Sequence, residues 1–206
     1  MKKLLFLLLT CSLFVQLQAQ NTEVATPQFN QQYLLNYYNE SYEQLAQTVD
    51  KLNKEQMHYK PAADKWSISQ CLEHLVKTEP MLWGFIQQTL SQDPNPERRA
   101  EMKMSDQDVI NTITDRSFKA QAPNEIAPSE KGAYDDPAAA LKDIQQGRES
   151  IFSYIKSTTI ETLRTHISDS PFGPIDAYQF MLYVPGHAMR HLQQIKEIMD
   201  SKGFPQ

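Results

Sequence analysis

Residues 176–199 read DAYQFMLYVPGHAMRHLQQIKEIM, and the period of this stretch is helical. Phe180, Tyr183, Val184, His187, His191, Gln194 and Ile198 recur at spacings of three and four, which places them on one face of an α-helix. Asp176 stands at the N-cap with Gln179 three residues on, and Ile175 is positioned to staple onto Phe180. A rigid turn, Pro171-Phe172-Gly173-Pro174, precedes the helix, and Pro185 within it predicts a kink. The face is apolar apart from two histidines and a glutamine.

Working outward, three more long segments carry the same period, and no strand-like alternation of comparable length appears. The first covers about 28 to 52, on Phe29, Tyr33, Leu34, Tyr37, Tyr38, Leu45, Val49 and Leu52. Its tyrosines suit core packing first, and a ligand pocket or dimer face second. The second opens at Ser67, which forms an S-x-x-Q capping box with Gln70, and runs to about residue 90 through Cys71, His74, Leu75, Thr78, Leu82 and Phe85. Pro80 predicts a second kink. The third follows Asp136-Pro137, a cap with proline at the first helical position, and presents Leu141, Ile144, Ile151, Phe152 and Ile155. Between the second and third lies a long proline-containing, charged connection, about 92 to 135, with one short helix near 105 to 115. The expected architecture is all-α, a four-helix bundle with a long crossover connection.

Residues 1–19 read as an export signal: Lys2 and Lys3, an apolar run from Leu4 to Val15, and a small residue at Ala19 before the cut. Leu8-Leu9-Thr10-Cys11 offers a lipoprotein alternative, but the apolar run continues past Cys11. The domain expectation is therefore a signal peptide at 1–19 and one bundle domain at 20–206, in a periplasmic or extracellular protein with no stable membrane span after cleavage. Cys71 is then the sole cysteine, so no intramolecular disulfide can form. Twenty Lys and Arg against 25 Asp and Glu argue against a surface that neutralises a phosphate backbone, so no nucleic-acid partner is expected. Six glycines and no G-x-G-x-x-G or Walker spacing exclude a glycine-rich phosphate cradle.

Three of the five histidines fall on predicted core-facing stripes. His187 and His191, one turn apart, project from the same face of one helix, and His74 faces the core from another. Three neutral imidazoles from two helices make a ligand set for a divalent ion such as Zn²⁺ or Ni²⁺ with positions left open, which is a catalytic type of site. The competing reading is ordinary: such pairs arise by chance, and a buried histidine can be satisfied by a tyrosine or a carbonyl. His58 and His166 lie in polar, loop-like surroundings. His187-Ala188-Met189-Arg190-His191 lacks the glutamate of H-E-x-x-H, and no glutamate stands three residues before His74, His187 or His191, so neither a zincin nor a di-iron bundle is expected at these histidines. Tyr183 and Gln194 are candidates to orient a substrate or a ligand, with plain packing as the alternative; Arg190 is read as a solvated charge. Glu73 and Glu79 are rotated from His74 by about 100° or more, which favours solvent and leaves no general base assigned.

The segment Asp64-Lys65-Trp66-Ser67-Ile68-Ser69-Gln70-Cys71-Leu72-Glu73-His74-Leu75, with His187-x-x-x-His191 near the C-terminus, resembles the DinB-like superfamily, including YfiT-type metal-dependent hydrolases. The resemblance covers nearly all of the chain after residue 19. It implies an up-down-down-up four-helix bundle, a metal held by His74, His187 and His191, and a homodimer. Related bundles include mycothiol-dependent isomerases and bacillithiol S-transferases, but an export signal departs from thiol cofactors that are mainly cytoplasmic. The expected function is a metal-dependent hydrolase acting on a small molecule. A thiol-dependent S-transferase, a non-catalytic metal- or ligand-binding module and a purely structural ion stand as alternatives.

Overall fold

The computed structural model describes residues 28–117 and 121–206; the export-signal and lipoprotein expectations lie outside these residues. Four long helices form the bundle: α1 (Gln31–Val49), α3 (Ile68–Leu90), α5 (Pro137–Ser157) and α7 (Ala177–Met199). Shorter helices α2 (Lys54–His58), α4 (Asp106–Thr114) and α6 (Ile160–Thr165) and a 3-10 turn at Pro96–Glu101 fill the connections. The caps do what their chemistry predicts. Ser67 and Gln70 close a reciprocal capping box, Asp136 accepts from the Ala138 amide ahead of Pro137, and Asp176 accepts from the Gln179 amide. The Gln179 side chain does not complete the last box; it donates instead to the Met104 carbonyl. The first helix is shorter than its apolar period, because Asn30 caps it. Helices α3 and α7 continue past Pro80 and Pro185.

Hydrogen bonds between helices give their directions. The Tyr178 hydroxyl, at the start of α7, donates to the carbonyl of Asn30 at the start of α1, so these helices are parallel. Gln31 Nε2 donates to the carbonyls of Ile155 and Thr158 at the far end of α5, so α1 and α5 are antiparallel. Ser69 meets Tyr134 just ahead of α5, and Glu79 meets Arg148 in mid-helix, so α3 and α5 are parallel. Helix α1 packs on α5 and α7, and α3 packs on the same two. The order is up-down-down-up, and the chain between α3 and α5 must return along the whole bundle.

Two apolar clusters fill the ends. Leu34, Tyr38, Ile86, Ile151, Ile155, Tyr178 and Leu182 occupy one; Leu45, Val49, Ile68, Leu72, Leu75, Leu192 and Ile195 occupy the other. Between them lies an ion pair. Arg148, 1% exposed, forks onto Glu79 at 2.6 and 2.7 Å, and its remaining nitrogen donates to the Tyr38 carbonyl and Ser41 Oγ. Glu79 is thus buried against Arg148 of α5, and the solvent-facing position read from its rotation about α3 is corrected.

Two further departures matter. An antiparallel hairpin, β1 (Ile167–Ser170) and β2 (Gly173–Asp176), occupies part of the connection to α7, with Ile167 opposite Asp176 and Ser170 opposite Gly173. Its strands are four residues each, too short for alternation to register, and only the Pro171-Phe172 bend matches the predicted turn. In addition, α7 is buried over more than the predicted stripe: Met181, Ala188, Leu192 and Ile195 are nearly inaccessible roughly a quarter-turn from the histidine face, and Leu182, nearly opposite it, is equally buried. This breadth follows from α1, α3, α4 and α6 all packing on α7. At Gly186 the approach of α4 is so close that a Cβ would lie 2.5 Å from Ile113 Cγ2.

Removing one member of the central ion pair leaves a buried charge without its partner. Glu79→Ala should cost about 3–5 kcal/mol of unfolding free energy, and the paired replacement Glu79→Leu with Arg148→Met should recover most of it. Urea unfolding of the two variants beside the wild type checks both statements.

Candidate metal centre

Helix α3 presents His74 about two turns from its capped start, and α7 presents His187 and His191 near its middle. The three imidazoles converge: ring centres are 5.1 Å apart for His74 and His187, 4.7 Å for His74 and His191, and 4.5 Å for His187 and His191. One nitrogen from each lies within 4.8 Å of the others. All three are buried, at 4%, 9% and 6% exposure in chain order. The sequence expectation of a shared cluster on these residues is met in geometry. His58 and His166 are elsewhere. His58 ends α2, held between the Lys131 carbonyl and Asp135, and His166 is buried with Nδ1 on the Thr162 carbonyl.

The surroundings set the tautomers. His74 Nδ1 lies 2.8 Å from the Ile126 carbonyl, which only accepts, so Nδ1 carries the hydrogen and Nε2 keeps its lone pair. His191 Nδ1 lies 3.0 Å from Gln194 Oε1 and is assigned the same way. Its Nε2 then faces His187 Nε2 at 3.2 Å. His187 Nδ1 is buried and has no hydrogen-bond partner among the described residues. Burial, and then repulsion among the rings, pushes His187 down to about 3 and His191 well below the ordinary imidazole value; burial lowers His74 as well. Three neutral imidazoles gathered in one buried place, two with Nε2 lone pairs and the third with an orphaned Nδ1, leave polar capacity unused. A divalent cation at the point of convergence fits this donor set.

Aromatic rings and an irregular segment enclose the trio. The Trp66 indole lies nearly parallel to His191 at 6.0 Å and tilted by 56° to His74 at 5.1 Å, and Tyr183 stacks on His187 at 6.3 Å. The second half of the crossover is strapped onto α3. Besides Ile126 on His74, Lys77 donates to the Ala127 carbonyl, Ser129 donates through its amide and hydroxyl to Glu73, Gln70 donates to the carbonyls of Ser129 and Glu130, and Tyr134 donates to Ser69. The strap turns at Gly132, φ +82°, where a Cβ would lie 2.4 Å from Ser69 Oγ. Glu73 is therefore a buried clamp residue, correcting its reading as a solvated charge. Burial opposes its ionisation, but hydrogen bonds from Lys77 and Ser129 outweigh that and hold its carboxyl below the ordinary value. Arg190 is also buried, donating to the Asp115 carbonyl, rather than solvated. Cys71 lies in the core, where burial pushes its thiol up, so it is not a ligand in waiting.

Sequence spacing singled out Gln194 but missed Ile126 and Arg116. A backbone carbonyl leaves no trace in residue type, and both positions sit in a segment without period. A pocket of about 180 Å³ is lined by residues that include Trp66 and Gln194, the two that contact His191, but by none of the three histidines.

Comparison with known proteins gives concordant results. The model of the DinB superfamily matches residues 37–195, which include all three histidines. The uncharacterized protein YuaE of Bacillus subtilis (strain 168) is 22% identical over 166 residues, spanning 81% of this chain and 97% of that one. Among solved structures, YfiT from Bacillus subtilis, described as a probable metal-dependent hydrolase with an unusual four-helix bundle topology, superposes with a TM-score of 0.59. It is 14% identical and covers 88% of this chain and 92% of its own, a likeness of fold.

The lowered imidazole values make stability depend on pH. From 6.5 down to about 3, unfolded His187 binds a proton that the folded chain refuses, so protons favour unfolding and stability falls as pH falls. In the presence of a chelator, urea midpoints should drop between pH 6.5 and the carboxylate value of 4.5, with a shallower slope in His187→Gln.

Proposed function

The chain belongs to the DinB superfamily, and from that footing we propose that it is a metal-dependent hydrolase of a small molecule, with one divalent ion, Zn²⁺ or Ni²⁺, held by His74, His187 and His191. The observation that carries this reading is the convergence of three buried, neutral imidazoles, one nitrogen from each within 4.8 Å of the others and His187 Nδ1 unpartnered among the described residues. The description of YfiT as a probable metal-dependent hydrolase supports the reaction class.

When bound, the ion supplies Lewis acidity, acidifying water and polarising an electrophilic oxygen. The chain's residues supply the rest. The Ile126 carbonyl and Gln194 keep His74 and His191 in the tautomer that offers Nε2. Trp66 and the strap exclude bulk water from one side of the trio, which strengthens electrostatic interactions there. Glu79 is consumed by Arg148 and Glu73 by Ser129 and Lys77, so neither is assigned the general base.

In this reading the protein works outside the cytoplasm after loss of residues 1–19, away from the mainly cytoplasmic thiol cofactors, and pairs as a homodimer. Among the described residues no helix is long and apolar enough to cross a membrane.

Elemental analysis of untagged protein should find about one divalent ion per chain, lost in His74→Ala and His187→Ala while circular dichroism stays helical. A folded wild type that neither carries nor takes up Zn²⁺ or Ni²⁺ refutes the proposal. A loaded protein whose metal shows no exchangeable water by relaxation measurements has a closed, structural ion instead.

A further inference from the structure

Arg116 belongs to the crossover, just beyond α4, yet its guanidinium reaches across to α7. Nε and Nη2 fork onto the Glu197 carboxylate at 3.1 and 2.6 Å, while Nη1 lies 3.4 Å from Gln194 Oε1. That same oxygen is the one 3.0 Å from His191 Nδ1. The arrangement has a consequence that follows from donor and acceptor chemistry alone. A primary amide can face His191 in two ways, and each enforces a different imidazole. With Oε1 toward the ring, Nδ1 carries the hydrogen and Nε2 keeps its lone pair. With the NH₂ group toward the ring, Nδ1 must accept, the hydrogen moves to Nε2, and the nitrogen that faces His187 no longer has a lone pair to give.

A guanidinium has donors only. Placed beside Gln194 and anchored by Glu197, it disfavours the second orientation, in which amide hydrogens would meet guanidinium hydrogens. We propose that Arg116 is a positioning residue for the histidine cluster: through the Gln194 amide it selects the Nδ1–H tautomer of His191, so that Nε2 is presented to the shared site. The effect on metal rests on the metal-dependent reading above; the effect on the tautomer does not. The crossover thereby aims two of the three histidines, His191 through Arg116 and His74 through the Ile126 carbonyl.

A merely structural role, tying the crossover to α7, is separable by a cycle of Arg116→Met and Gln194→Glu. A carboxylate presents an acceptor whichever way it turns, so Glu at position 194 makes the arginine dispensable for orientation. The Arg116 side chain is partly exposed, so the variants are expected to fold. In chelator-treated protein at mildly alkaline pH, long-range ¹H–¹⁵N spectra should report His191 as Nδ1–H in the wild type, a mixture with Nε2–H in Arg116→Met, and Nδ1–H again in the double variant. Co²⁺ affinity by chelator competition should fall about 10-fold for Arg116→Met alone, and less than about 2-fold when the same change is made in Gln194→Glu. Unchanged Nδ1–H in Arg116→Met, or equal affinity losses in both backgrounds, overturns the proposal. A wild type that takes up no Co²⁺ refutes the metal reading, and the tautomer spectra then decide this inference alone.

Discussion

Two consecutive long helices, α3 and α5, lie side by side and point the same way, and this constraint governs the rest of the molecule. A chain can satisfy it only by travelling back the length of the bundle between them, so a long crossover is required rather than tolerated. That return path is laid over α7 and α3: α4 sits on α7 at Gly186, and the strap from Ile126 to Tyr134 lies along α3. Irregular backbone carries polar groups that helices would have used internally. Here they become the wall and the fixings of the histidine cluster. The ion pair of Glu79 and Arg148 holds the parallel helices in register, and its two further bonds to Tyr38 and Ser41 bring α1 into the same network.

Helix α3 therefore carries two buried polar systems of opposite character. In one, charge is matched by charge, the arginine is bonded at each of its nitrogens, and no capacity remains for a ligand. The other is uncharged, two of its ring nitrogens face one another at 3.2 Å, and one nitrogen has no partner among the described residues. Burial creates both, yet only the second is incomplete without something added. That difference, rather than burial or residue type, separates the scaffold from the candidate centre.

The long helices and their caps were legible in the sequence because amphipathic period and capping chemistry are local. The histidine cluster was legible too, since His187 and His191 share a turn and His74 shares a stripe with core residues. Legibility ended where a partner comes from a distant, aperiodic segment. Glu73 and Glu79 appear solvent-facing from rotation about their own helix, but Ser129 and Arg148 arrive from elsewhere to bury them. The breadth of burial around α7 was hidden for the same reason: four helices converge on it, while a single stripe records only its own periodicity. The short hairpin before α7 has too few residues for alternation to show.

His74 and His187 are separated by more than a hundred residues, and the segment whose Ile126 carbonyl holds His74 lies between. An unfolded or partly synthesised chain holds at most the His187 and His191 pair, and that pair gains its third member only when α3 has docked on α7. The long sequence separation of these contacts also makes them late and slow to form. Assembly of the centre is thus a report on completion of the fold: an ion that needs all three imidazoles discriminates the finished bundle from every shorter or misrouted intermediate, and by binding only that state it draws the folding equilibrium toward it.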